Sequence, residues 1–385
     1  MKKLIIYYII IFTWLGFNTM FSQTLSSEFE TAKQLLLQRN YNDAIVILDK
    51  ILNENKEYFE AANLLAKAYT NLGLYEEAEK FYIKSLSIKP DNYDAIAGMG
   101  SMFFLKGNYN AAELYLRKAG KMNGNSARVL SLLGKIGMIK GDYKEAKRIF
   151  LELTEIDSTN SEALTNLGII YQQEGDVAKA EMYFRKEVNH YPNDELARMN
   201  LGVFYGSIGE FHKSIVELNK AKELNPKDEN VYLSLGVFYL QKKIYGEAEK
   251  NFRDVLALNR FNPDAYFYLM LLKMKKGDLD TALIYGNKLT KLNDEYPQAH
   301  LVISNIYLLK DDYKTAIEHA KIEISKFPKN PEGYLLLAGL YYYAGDELNF
   351  NIVKVKFQRL FGKEFNLKNP LTKDNFLLES ELMGR

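Results

Sequence analysis

A small residue returns every 34 residues along almost the whole chain, and this period constrains the fold more than any other feature. The series is Ala44, Ala78, Ala112, Ala146, Ala180, Ser214, Ala248, Ala282, Ala316 and then Phe350, where the pattern fades. The spacing contains no insertion or deletion. A fixed period in this range is typical of stacked two-helix units, each of which buries its apolar face only against its neighbours. The sequence therefore predicts an all-helical solenoid, for which binding is the expected function.

A second series with the same period shows how each unit is built. It stands twelve residues before the first and reads Ala32, Ala66, Gly100, Gly134, Gly168, Gly202, Gly236, Met270, Ser304 and Ala338. Glycine inside a helix costs about 1 kcal/mol of helix propensity. Five glycines in register therefore indicate a packing requirement, the close approach of two helix backbones. Between the helices of one unit, Gly209 is suited to the left-handed end of a helix, and Pro226 stops the second helix.

These residues resemble the tetratricopeptide repeat, in which a Leu-Gly-x-x-Tyr pattern is followed by Gly, Ala, Phe and a closing Pro. The unit that carries the resemblance best contains Leu167, Gly168, Tyr171, Gly175, Ala180, Phe184 and Pro192. The resemblance covers ten units over residues 25–364, and it implies an all-α, right-handed superhelical solenoid of antiparallel helix pairs. Residues 365–385 follow, and Phe376, Leu377, Leu378 and Leu382 predict a C-terminal capping helix there, with a partner-binding tail as the alternative.

The N-terminal segment, residues 1–22, breaks the repeat pattern. Lys2 and Lys3 precede an uncharged, apolar run over residues 4–21. This layout is typical of a secretory signal peptide, although Met20 stands where cleavage prefers a small residue. An uncleaved membrane anchor and a buried core helix are the alternatives. We therefore expect an exported protein, periplasmic or secreted, and as the alternative an inner-membrane anchored protein facing the periplasm.

Composition and motifs give no support to catalysis or to nucleic-acid binding. The 50 basic and 49 acidic residues give a net charge of +1, and the absence of cysteine excludes disulfides, thiolate metal sites and a cysteine nucleophile. Of the four histidines, no two stand three or four residues apart, so no helix presents a paired-imidazole metal site. We expect His300 to be a partly buried packing residue. No phosphate loop or Gly-x-Ser-x-Gly elbow occurs. The sequence thus predicts no enzyme, no catalytic residue, no cofactor and no metal.

The resemblance implies that five positions on the first helix of each unit line a concave groove. In the early units these positions are mostly polar, as at Asn63, Lys67, Arg128 and Lys135. From the sixth unit onward they become apolar. The predicted groove residues are Met199, Val203, Leu233, Val237, Leu240, Phe267, Leu271, Met274, Leu301 and Leu308.

Three interpretations of this apolar stripe remain open. It forms a groove for an amphipathic helix or an extended peptide, it is covered by the protein itself, or it mediates self-association. We expect a non-catalytic protein–protein interaction scaffold of the bacterial cell envelope, in contact with a membrane only through an uncleaved N-terminal segment. The alternative is an assembly component of a secretion or polysaccharide-export machinery that contacts a pore subunit or a glycan. Tyr342 and Tyr343 are the one aromatic pair in the groove that would suit a sugar.

Overall fold

The structure, a computed structural model, describes residues 25–362 and divides the chain into two compact units at His190 and Tyr191. We call them the N-terminal unit, described over residues 25–190, and the C-terminal unit, described over residues 191–362. Every regular element in these residues is an α-helix. The predicted signal peptide or anchor over residues 1–22, the end of the repeats after residue 362 and the predicted capping helix over residues 365–385 lie outside the described residues.

The N-terminal unit consists of ten helices in five pairs. They are α1 (residues 25–37), α2 (Tyr41–Glu54), α3 (Phe59–Asn71), α4 (Tyr75–Ile88), α5 (Tyr93–Leu105), α6 (Tyr109–Met122), α7 (Ala127–Lys140), α8 (Tyr143–Ile156), α9 (Ser161–Gln173) and α10 (Val177–His190). Asparagine and aspartate start many of them, because their side-chain oxygens satisfy backbone N–H groups that a helix start leaves unpaired. Asn160, for example, accepts a hydrogen bond from the backbone N–H of Ala163.

The C-terminal unit repeats this arrangement with ten more helices. They are α11 (Glu195–Ser207), α12 (Phe211–Leu224), α13 (Glu229–Gln241), α14 (Tyr245–Leu258), α15 (Pro263–Lys275), α16 (Leu279–Leu292), α17 (Ala299–Leu309), α18 (Tyr313–Lys326), α19 (Pro331–Tyr343) and α20 (Glu347–Phe361). In this unit each odd-numbered helix packs along the even-numbered helix that follows it, and α12, α14, α16 and α18 each pack on the first helix of the next pair. The predicted all-α solenoid of antiparallel helix pairs is therefore confirmed within each unit.

The glycines of the second series meet large side chains on the second helix of their pair. A side chain added to Gly168 would place its Cβ 2.7 Å from Cζ of Phe184, and at Gly202 it would lie 2.8 Å from Cγ of Leu218. Both distances are shorter than van der Waals contact, so the glycines are required by the close approach of the two helices. The alanine series, from Ala44 to Ala316, is fully buried.

One pair exchanges the small and the large partner. Met270 stands where five preceding pairs have glycine, and Gly286 stands where they have Leu or Phe. A Cβ on Gly286 would lie 2.9 Å from Sδ of Met270. Both residues are buried. In this pair the large residue is on the first helix and the small one is on the second, yet the two side chains together still fill the same space. The pair therefore requires a given summed volume, whichever helix supplies the larger side chain.

The turn inside each pair uses a left-handed residue. The ten equivalent positions run from 39 to 345, and seven of them are glycine, such as Gly209 with φ +82°. Arg39, Lys243 and Asp311 hold the same conformation with φ near +60°. A residue with a side chain is strained there, because its Cβ approaches the following carbonyl oxygen. The geometry of the turn is therefore imposed by the packing of the pair, even where the sequence does not favour it.

Within residues 25–362 no helix is both long enough and apolar enough to cross a membrane.

Exchange of the two partners in a second pair tests the volume argument. We expect Gly202→Met to lower the free energy of unfolding by about 2 kcal/mol through overpacking against Leu218. The double variant Gly202→Met, Leu218→Gly, which reproduces the arrangement of Met270 and Gly286, should recover part of that loss. Gly246→Ala is the control, since nothing lies within 4 Å of a Cβ there, and it should gain about 0.5 kcal/mol from helix propensity. Thermal and urea unfolding measure all three; a double variant as unstable as Gly202→Met would refute the volume argument.

Candidate partner-binding groove

The first helices of successive pairs form one wall of the C-terminal unit. Direct contacts join α11 to α13, α13 to α15, α15 to α17 and α17 to α19. All ten predicted groove residues lie on the first four of these helices. The ten residues therefore lie on one continuous series of helices, but some of them are buried and others are accessible to solvent.

Six of the ten predicted groove residues are buried inside the protein. They are Leu240, Phe267, Leu271, Met274, Leu301 and Leu308, none of them more than 8% exposed. Leu301 and Leu308 belong to the apolar cluster with Tyr334 and Leu337 of α19, and Leu240 packs with Phe252 and Leu269. In this conformation these six side chains stabilise the stack, and a partner could not contact them without displacing protein.

A loop residue helps to close this part of the wall. Tyr296, which precedes α17, packs its ring 5.1 Å from the ring of Phe267. Its hydroxyl donates a hydrogen bond of 2.6 Å to Asp264 at the start of α15. Burial and this neighbouring carboxylate raise the pKa of Tyr296 above its ordinary value, so the hydroxyl stays protonated as the donor. The contact fixes the loop against the wall.

The remaining four predicted groove residues stay accessible. Val203 is 39% exposed, and Met199, Leu233 and Val237 are half-buried. Met199 and Val203 are four residues apart on α11, and Leu233 and Val237 repeat that spacing on α13, so all four lie on matching faces of two helices in contact. We call these four residues the open patch.

A second accessible apolar position lies on α19. Tyr342 is 61% exposed, and its ring packs edge-on to Tyr343 at 6.2 Å and against Phe350 at 5.9 Å. Of the aromatic pair noted in the sequence, Tyr342 is therefore accessible to solvent, and its ring is held in place by Tyr343 and Phe350.

In the N-terminal unit, the polar positions of the wall bind one another across the repeats. Arg128 on α7 donates a hydrogen bond of 2.8 Å to Ser101 on α5. Ser131 donates one of 2.6 Å to Glu162 on α9, and Lys135 forms an ion pair with the same carboxylate. The polar wall is therefore a hydrogen-bonded ladder, which contributes to the stacking of its helices.

Charged groups stand next to the open patch in the sequence of α11. Arg198, which precedes Met199, forms a half-buried ion pair of 2.6 Å with Glu217 on α12. At the start of α11, burial and a hydrogen bond with the Asp228 carboxyl raise the pKa of Glu195 to about 7. The two acids can share a hydrogen bond only while one of them is protonated. Near neutral pH the Glu195–Asp228 pair therefore keeps one proton, although carboxyl groups are usually ionised at this pH.

A contact between two histidines is a feature that the sequence analysis did not predict. Nδ1 of His300 on α17 lies 3.0 Å from Nδ1 of His319 on α18, and Nε2 of His300 lies 3.2 Å from Asp294. Lys326 pairs with the same aspartate. The spacing of 19 residues gives no helical signal, because the turn between α17 and α18 brings the rings together. His300 is 5% exposed, which agrees with the expected packing role.

These histidines do not make a metal site by themselves. Among residues 25–362 no group of three or more His, Asp or Glu side chains is arranged to hold a metal ion. Burial lowers the pKa of His300, and burial together with His300 lowers that of His319. Two imidazolium rings would place N–H groups against each other, so the pair is stable only while at least one ring is neutral.

The histidine pair predicts that acid destabilises the C-terminal unit. Because both pKa values are lowered by folding, the unfolded chain binds protons first, and the contribution of the pair is lost as pH falls below about 6.5. We expect the melting temperature to fall more between pH 7.5 and pH 5 in the wild type than in His300→Gln, His319→Gln. Equal losses in both proteins would contradict this assignment.

Glu195 predicts the opposite dependence. Its raised pKa contributes stability that is complete below pH 4.5 and is lost as pH rises through about 7. We expect Glu195→Gln to be more stable than the wild type at pH 8 by about 1 kcal/mol, less than the full electrostatic value because solvent screens the pair, and to show little difference at pH 4.5. Urea unfolding at the two pH values measures this. Glu229→Gln, one repeat later and facing Asn259 and Asn262, is the control; an equal gain there would count against the carboxyl pair.

Comparison with known proteins identifies the repeats. Family models described as tetratricopeptide repeat match residues 35–85, residues 127–160 and 197–228, and residues 149–182. No curated protein matches the chain.

Several solved structures are similar. A tetratricopeptide repeat protein from Parabacteroides merdae is 19% identical, with a TM-score of 0.54, over 64% of this chain and 97% of that one. At this identity the match shows the fold alone. PilF of Pseudomonas aeruginosa is 21% identical with a TM-score of 0.45, over 53% of this chain and 93% of that one. YrrB, a TPR protein with an unusual peptide-binding site, is 24% identical with a TM-score of 0.40, over 46% and 92% respectively.

Proposed function

We propose that this chain, which belongs to the tetratricopeptide repeat proteins, is a non-catalytic scaffold. In this proposal it holds a protein partner against the first helices of its C-terminal unit. Proteins built from this repeat bind peptides or other proteins, which supports an interaction role. The finer proposal is that a helix or an extended peptide binds at the open patch formed by Met199, Val203, Leu233 and Val237.

The observation that carries the proposal is the difference in burial along one wall. Six predicted groove residues are buried by the protein's own packing, whereas Val203 is 39% exposed and the other three members of the open patch remain half-buried. Apolar side chains on one face of two adjacent helices can accept the apolar face of a helix or alternate side chains of a strand. Met199 adapts its shape to different partners, since its side chain is unbranched and flexible.

The cellular setting is part of the proposal and rests on the sequence. A basic start followed by an apolar run over residues 4–21 supports export. We therefore place the scaffold in the bacterial cell envelope, in the periplasm or secreted, or anchored in the inner membrane and facing the periplasm if the segment is not cleaved. Self-association through the open patch is one outcome of the experiment below.

The test compares a residue of the open patch with an outward-facing valine of equal exposure. Val203 on α11 is 39% exposed, and Val216 on α12 is 38% exposed. A photoreactive residue at either position would be crosslinked in envelope preparations of the producing cell, with and without the further substitution Val237→Glu. We expect position 203 to form a crosslinked adduct with the partner, and Val237→Glu to reduce the yield of this adduct about tenfold. A tenfold loss corresponds to about 1.4 kcal/mol of binding free energy.

Position 216 should give no such adduct. Mass spectrometry of the adduct identifies the partner, and an adduct between two copies of this chain would indicate self-association instead. Equal crosslinking from both positions, or an adduct that Val237→Glu leaves unchanged, would show that the open patch is not the binding site.

A second candidate function has one observation in its favour. Tyr342 is 61% exposed and is held edge-on against Tyr343, an arrangement on which a sugar ring can stack. This supports an export or secretion component that contacts a glycan or a pore subunit. Tyr342→Ala should then weaken binding of envelope polysaccharide without changing the crosslink at position 203.

A further inference from the structure

The last helix of residues 25–362, α20, exposes a row of apolar side chains. On α20, Leu348, Ile352 and Val355 are 72%, 55% and 63% exposed. Their spacing of four and three residues places them in one row along the helix, and Leu360, 52% exposed, follows near its end. We call Leu348, Ile352 and Val355 the terminal stripe. Three large apolar side chains in a row are more than the scattered apolar residues of an ordinary surface.

The terminal stripe is special to this repeat. Its three positions recur every 34 residues on the second helix of each pair, and in every preceding pair at least two of the three are polar, charged or small. The preceding sets include Asn42, Val46, Asp49; His212, Val216, Asn219; Asp280, Ile284, Asn287; and Lys314, Glu318, Lys321. These positions therefore face solvent in the repeat, and only on α20 do all three favour contact with apolar partners.

We propose that the terminal stripe is the docking site of the chain's own C-terminal segment, residues 363–385. The segment follows α20 directly, and Gly362, the residue after the helix, is in the left-handed conformation that lets the chain leave the helix axis. Residues 376–378 and 382–383 supply Phe, Leu and Met. Docked as a helix, residues 376–383 would extend about 10 Å, which matches the span of about 10 Å from Leu348 to Val355.

The connection is long enough for this arrangement. Residues 363–372 lie between α20 and the apolar part of the segment, and ten residues can reach about 33 Å. Asn369 and Pro370 disfavour continuation of a helix through the connection. The segment can therefore fold back antiparallel to α20 without strain in the chain.

Charge favours the same occupant. Lys356 and Arg359 are exposed on α20, and Lys354 is half-buried there. The segment carries acidic residues among its apolar ones, at Asp374, Glu379 and Glu381. Opposite charges beside an apolar contact select the partner and its orientation.

A second copy of the chain suits the terminal stripe less well. One helical row on each of two copies buries a few hundred Å², whereas stable interfaces bury about 1,200 Å² or more. A tethered segment needs less contact area, because the tether keeps it near its site at an effective concentration in the millimolar range.

Cysteine labelling tests the proposal on the full chain, which has no native cysteine. Ile352→Cys reports on the terminal stripe. Ile284→Cys on α16 is the matched control, since both isoleucines are 55% exposed and occupy the same repeat position. If the segment docks, a maleimide should react with Cys at 352 at least about tenfold more slowly than at 284, which corresponds to a docked fraction above about nine-tenths.

Adding Phe376→Glu and Leu377→Glu to the Ile352→Cys chain should remove the protection, while the helical circular dichroism spectrum stays unchanged. Equal reaction rates at the two positions in the otherwise unaltered chain would overturn the proposal. Protection that persists in the glutamate variant and increases with protein concentration would also overturn it, in favour of a second copy on the terminal stripe.

Discussion

The contact between a small residue on one helix and a large residue on its partner is the interaction on which the rest of the structure depends. Gly202 against Leu218 sets how closely the two helices of a pair approach, and that distance is repeated in pair after pair. Met270 and Gly286 show that the sum of the two volumes is what must be kept. Because this contact recurs in successive pairs, the first helices of each unit are similarly spaced and contact one another along one wall.

The sequence alone was sufficient for the architecture. The sequence repeats the same local signals every 34 residues, namely a glycine where two helices pack closely, as at Gly168, and a glycine in the turn, as at Gly209. Because each signal occurs many times, the pattern is easy to recognise. It was not sufficient for exposure along the wall, since a position that faces the groove in one repeat can be covered in another. Leu301 and Leu308 are buried by contacts with α19, and those depend on tertiary packing.

A signal for this burial was nevertheless present. On α17 every residue from Ala299 to Ile306 is buried, including His300 and Asn305. The segment is apolar around most of its circumference, which indicates a helix covered on all sides rather than one that lines an open groove. The contact of His300 with His319 could not have been predicted from the sequence pattern. It depends on how closely the turn after α17 brings α17 and α18 together.

Stability and binding therefore compete for the same positions of the repeat. On α17, where most residues are apolar, the wall residues pack into the protein and strengthen the stack at the expense of accessible surface. On α11 and α13, Asn200 and Ser234 are half-buried, and the neighbouring Val203 and Val237 also remain accessible. The open patch is thus the part of the wall where apolar side chains remain accessible beside half-buried polar ones, which is the physical reason to seek the partner there.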